Sequence, residues 1–124
     1  MESKKVLIAE DSSVIQNLTK KILQIQNYQI FSAKNGLEVL SMLEKDHYDI
    51  ILMDINMPKM DGMECAQKIR ALKDPEKSAI PIVAITGNAR NYTMQEFSKV
   101  GINEYLPKPL NFDSLVETVK NLTS

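Results

Sequence analysis

The chain has 124 residues and a net charge of −1, with 15 lysines and arginines against 16 aspartates and glutamates. That length suits a single domain over residues 1–124 with a core of its own, and the even charge lacks the basic face that nucleic-acid binding calls for. The only cysteine, Cys65, excludes an internal disulfide, and no apolar run is long enough to span a bilayer.

Residues 1–5 are polar and lack the apolar stretch of a signal peptide, so the expected setting is cytoplasmic, as a free protein or as the cytoplasmic part of a membrane-bound one. Residues 6–9 (Val-Leu-Ile-Ala) read as a strand. Val14, Leu18, Ile22 and Ile25 come next at helical spacing, and this stripe is expected to face the core. Residues 29–31 form a second strand, and Leu37, Leu40 and Leu43 mark a second helix. Residues 50–53 (Ile-Ile-Leu-Met) form a third strand. Asp61-Gly62-Met63-Glu64 resembles a capping box that opens a third helix, on which Cys65 is a small apolar residue. Residues 73–78, with Pro75, read as a loop. Residues 82–85 form a fourth strand. Met94, Phe97 and Val100 mark a further helix that Gly101 closes. Residues 104–106 form a fifth strand, and Phe112, Leu115, Val116, Val119 and Leu122 make the last helix. Five strands alternating with five helices predict an α/β fold, a parallel sheet with helices on both faces. The first, third and fourth strands are almost wholly apolar, as strands covered on both faces are.

Four of these strands run out into polar residues that can do chemistry. Glu10 and Asp11 come after the first, Asp54 after the third, Thr86 after the fourth, and Lys108 two residues after the fifth. In a parallel sheet these positions share the carboxyl edge, where open α/β folds carry their ligands. Taken singly, a strand-end carboxylate is often a helix cap, and Asp11 or Ser12 suits that role. Taken together, three carboxylates repel one another unless a cation sits among them. All-oxygen ligands select Mg²⁺, with Mn²⁺ as a substitute, over zinc. A lysine and a threonine suit the oxygens of a phosphoryl group. The set points to phosphoryl transfer with Asp54 as nucleophile. His47, the only histidine, falls outside this edge and reads as a solvent-exposed residue.

Four segments carry a family resemblance: Leu7-Ile8-Ala9-Glu10-Asp11, Met53-Asp54-Ile55-Asn56-Met57-Pro58-Lys59-Met60-Asp61-Gly62, Ala84-Ile85-Thr86-Gly87 and Tyr105-Leu106-Pro107-Lys108-Pro109. In order and spacing they resemble response-regulator receiver domains of two-component systems, over essentially the whole chain. The resemblance implies a flavodoxin-like (βα)5 three-layer sandwich with strand order 2-1-3-4-5. It implies that Asp54 is the phosphoacceptor, that Asp11 ligates Mg²⁺ directly and Glu10 mostly through water, and that the Asn56 backbone carbonyl is a further ligand. Thr86 would hydrogen-bond the phosphoryl group and Lys108 would pair with it. Tyr105 matches a switch aromatic that turns inward as Thr86 moves. The Lys108-Pro109 bond is cis in the family, and Pro58 and Gly62 fit a sharply shaped loop. The expected partners are a sensor histidine kinase or a histidine phosphotransfer protein, met along Val14 to Leu18, and an output partner or domain. That partner would read the face made by the helix after the fourth strand, the fifth strand and the last helix. No direct nucleic-acid or membrane partner is implied, and no turnover of an external substrate. Glu10 stands where many members have Asp, Gly87 where alanine is common, and Asn56 and Asn88 where the family tunes phosphate lifetime. The Glu10-Asp11 pair and the Tyr-Leu-Pro-Lys-Pro run resemble receivers of hybrid kinases. Two alternatives fit less well. A haloacid-dehalogenase-like phosphatase wants an aspartate where this chain has Asn56. An inert pseudo-receiver usually lacks acidic or lysine positions that this chain retains.

Overall fold

The computed structural model describes residues 4–57, 59–87, 93–108 and 110–123. The expectations placed on Pro58, Asn88 and the Lys108-Pro109 bond therefore lie outside the described residues. The elements run β1 (Lys5–Ala9), α1 (Ser13–Ile25), β2 (Gln29–Ala33), α2 (Gly36–Lys45), β3 (Ile50–Asp54), α3 (Gly62–Arg70), α4 (Pro75–Ser78), β4 (Ile82–Thr86), α5 (Met94–Lys99), β5 (Glu104–Pro107) and α6 (Phe112–Thr123). The sheet order is β2-β1-β3-β4-β5, every pair parallel. This is the flavodoxin-like three-layer arrangement.

Alternation along the strands divides the core in two. Val6, Ile8, Leu52 and Val83 face one side and pack with Leu23 of α1 and Leu115 and Val119 of α6. Leu7, Met53, Ile82 and Ala84 face the other and pack with α2 (Val39, Leu43), α3 (Cys65, Ala66, Ile69) and α5 (Phe97). Helix starts obey the capping chemistry. Asn35, Asp61 and Thr93 each accept from the backbone N–H three residues on, at Glu38, Glu64 and Glu96. The amino-terminal rim is tied by Arg70, at the end of α3, whose guanidinium donates to the carbonyls of Ser78, Ile80 and Gly101.

The fold differs from expectation in three places. The apolar stripe of α1 is not a core stripe: Val14 is 69 %, Leu18 47 % and Ile25 77 % exposed, and the helix buries Thr19 and Leu23 instead. Leu37 and Phe112, also expected in core stripes, are exposed. Residues 73–78 are not wholly loop, because Asp74 caps a one-turn helix with Pro75 in its first turn, which raises the described helices to six.

Candidate functional site

Register places the strand-end residues side by side. Ala9 pairs with Met53, so Glu10 stands level with Asp54 on the neighbouring strand. Asp54 pairs with Ile85, one step before Thr86. Thr86 pairs with Pro107, one step before Lys108, whose N–H donates to the Thr86 carbonyl at 2.8 Å. Neighbouring strands lie about 4.8 Å apart, within reach of short side chains.

Carboxylate oxygens of Glu10, Asp11 and Asp54 all lie within 4.8 Å of one another. Lys108 Nζ is 3.2 Å from Asp54 Oδ2 and 3.7 Å from Glu10 Oε2. Asp54 and Glu10 are buried, while Asp11 is exposed. The second Asp54 oxygen, Oδ1, accepts the Asn56 N–H at 3.1 Å. Glu10 Oε1 accepts the Ser12 N–H at 3.1 Å, but Glu10 Oε2 is buried with no hydrogen bond. Burial, and then the Asp54 charge, push the Glu10 carboxyl up to about 7, against the opposing pull of the Ser12 N–H and Lys108. With all three acids ionised against one ammonium, two negative charges would stand uncompensated, and the rise at Glu10 answers that repulsion in part. An orphaned buried carboxylate oxygen in an all-oxygen donor set is the chemistry of a hard divalent cation site. The residues present fit Mg²⁺.

The loop after β3 is held by close approach. The Gly62 N–H donates to the Ile55 carbonyl at 3.0 Å, and a Cβ on Gly62 would lie 2.8 Å from the Asp54 carbonyl oxygen. Met60 is buried behind it, against Gly36.

The sequence-predicted residues thus separate into groups. Glu10, Asp11, Asp54 and Lys108 come together. Thr86 is fully buried at the adjacent strand end. Asn56 is exposed and meets Asp54 through its backbone N–H. Tyr105 lies two residues before the rim, half-buried, with its ring stacked on Phe97 at 5.5 Å, apart from the acidic cluster. His47 is exposed, 3.6 Å from Asp49. Ser12, not Asp11, caps α1. Gln16 is the residue that the sequence did not single out. Its side-chain Nε2 donates to the carbonyls of Glu10 (2.6 Å) and Ala33 (3.0 Å), at the ends of β1 and β2. Its signal was periodicity: residues 12, 16, 19 and 23 share one face of α1, the face that carries the buried Thr19 and Leu23.

Comparison with known proteins agrees with this fold. Residues 6–120 match the family described as the response regulator receiver domain. Hybrid signal transduction histidine kinase I of Dictyostelium discoideum is 36 % identical over 96 % of this chain, which spans 7 % of that protein's length. Polar-differentiation response regulator DivK of Brucella ovis is 29 % identical over 96 % of this chain and 95 % of its own. The receiver domain of sensor histidine kinase PA1611 from Pseudomonas aeruginosa, solved with a magnesium ion in its active-site cleft, superposes with a TM-score of 0.88. It shares 28 % identity over 98 % of each chain. Among the described residues, no helix is long and apolar enough to cross a membrane.

Proposed function

The chain belongs to the response-regulator receiver family, and on that premise we propose that Asp54 accepts a phosphoryl group from a phosphohistidine donor and that the chain signals by the change this causes. The observation that carries the reading is the carboxylate trio within 4.8 Å, with Lys108 set against two of its members. In the transfer, a carboxylate oxygen of Asp54 bonds to phosphorus while the phosphorus–nitrogen bond of the donor breaks and its electron pair stays on the imidazole. Glu10, Asp11, Asp54 and the Asn56 carbonyl would hold Mg²⁺, with Mn²⁺ able to replace it. When bound, the cation neutralises charge on the transferring phosphoryl oxygens. Lys108 supplies an ammonium to those oxygens, and Thr86 a hydroxyl. The new dianionic group recruits both, and their loops lead into α5 and out of β5. Tyr105 follows Thr86 in this reading, and its stacking on Phe97 of α5 supports the α5–β5–α6 face as the output surface.

Residues 1–124 act as one receiver domain in the cytoplasm. The donor is a sensor histidine kinase or a histidine phosphotransfer protein, and the reader is a partner protein or an attached domain, with no nucleic acid bound directly. The exposed apolar face of α1 offers that donor an apolar contact. A groove of about 260 Å³ lined by Ile15, Leu18, Leu110 and Phe112 opens beside Lys108, which would bring a donor imidazole to the acidic rim. Asn56, two residues after Asp54, stands where a haloacid-dehalogenase-like phosphatase uses an aspartate as acid and base, and a carboxamide cannot take that role, which weighs against that reading. Incubation with phosphoramidate, with intact mass as the readout, is the test. The expected result is a gain of one phosphoryl group that needs Mg²⁺ and disappears in Asp54→Asn. A gain that survives Asp54→Asn, or none in the wild type, refutes the reading.

A further inference from the structure

We propose that Gln16 is a positioning residue, whose side-chain amide fixes the Glu10–Asp11 peptide and thereby sets the affinity of the acidic cluster for its divalent cation; this rests on the metal reading above. Both N–H groups of Gln16 Nε2 are spent on carbonyl oxygens, Glu10 at 2.6 Å and Ala33 at 3.0 Å. Gln16 itself is held in the first turn of α1, where its backbone N–H donates to the Ser12 carbonyl at 3.0 Å. The Ala33 carbonyl also takes the Glu10 N–H at 3.0 Å. The amide therefore bridges helix, β1 and β2 at the point where the chain leaves the sheet.

The Glu10 carbonyl belongs to the peptide that leads into Asp11, so fixing that oxygen fixes the plane from which the Asp11 side chain departs. Asp11 is the exposed member of the trio and depends on its backbone for direction. Glu10 is held from the other side by the Ser12 N–H on Oε1. With the Gln16 bonds removed, the loop keeps its cap and its strand but loses the restraint on the peptide between two of the three carboxylates. A group that orients metal ligands without touching the metal typically governs affinity by tenfold or more.

The test compares wild type with Gln16→Met, which keeps the shape without the donors, and Gln16→Asn, which stays polar but is too short to bridge both carbonyls. Amide NMR titration with MgCl₂ gives the dissociation constant, and hydrogen exchange reports the Glu10 and Asp11 amides. The expected result is an affinity about tenfold weaker in both variants, faster exchange at Glu10, and a phosphoramidate rate at saturating Mg²⁺ within twofold of wild type. Val116→Ala, on α6, serves as a control for lost stability alone and should leave Mg²⁺ affinity unchanged. Variant affinities within twofold of wild type, or an equal loss in Val116→Ala, overturn the positioning role. A wild type that shows no Mg²⁺ response overturns the metal reading itself, and this inference with it.

Discussion

Glu10 shows at the scale of one residue how the site stores unfavourable charge. Its Oε2 lies in the interior beside Asp54 with only a lysine at 3.7 Å to offset it. Glu10→Gln keeps an oxygen for the Ser12 N–H and presents an N–H₂ where the repulsion stood. In EDTA the variant should unfold at a higher temperature than wild type, by about 1–2 kcal/mol in stability, while its response to Mg²⁺ falls. Thermal unfolding with and without the cation decides it, and a lower melting temperature in EDTA would show that Lys108 already compensates the pair. The membership of this cluster was legible in the sequence because parallel pairing carries strand-end residues to one rim. The cap was not legible, because Asp11 and Ser12 are both competent. The backbone at Ser12, φ −82° and ψ 115°, decides between them. Cys65 reads from sequence as packing, and it is fully buried with its thiol pushed up to about 12, mainly by burial.

At the scale of elements, α1 is where pattern misled. Its strongest apolar stripe, through Val14, Leu18 and Ile25, points outward, while the face through Thr19 and Leu23 points in. Adjacent positions on a helix differ by roughly 100°, so two faces only one residue apart compete for the same reading. Composition favours the wrong one because the outward face carries more apolar residues. Leu23→Ala should cost about 3 kcal/mol in urea unfolding, whereas Ile25→Ala should stay within about 0.5 kcal/mol. Equal losses would mean that α1 packs by its apolar stripe after all. The one-turn α4 escaped notice for another reason. Four residues are too few to show a stripe, and only Asp74 with Pro75 in the first turn marked it. The strands were legible because both faces of β1, β3 and β4 are covered, which leaves near-continuous apolar runs.

At the scale of the molecule, the acidic rim joins β1 and β3 at the centre of the sheet, so a ligand bound there reports on the whole fold. A cation that binds only the folded chain adds about 2.7 kcal/mol at a hundred times its dissociation constant. For a domain of this size that corresponds to a rise of roughly 10 °C in melting temperature, reversed by EDTA. Calorimetry should show one transition moving as a unit, and a second transition unaffected by Mg²⁺ would mean that part of the chain unfolds independently of the site. The closeness of Gly62 to the carbonyl of Asp54 has a consequence of a different kind. Any side chain at position 62 would press on the end of the strand that presents the acceptor, so that the strand end or the start of α3 must shift. The loop therefore has no neutral route through sequence space at that point. A lineage can alter what the rim binds, what α1 meets or what α5 shows, but a first carbon added at position 62 shifts the acceptor's strand end or the start of α3 before it changes anything else.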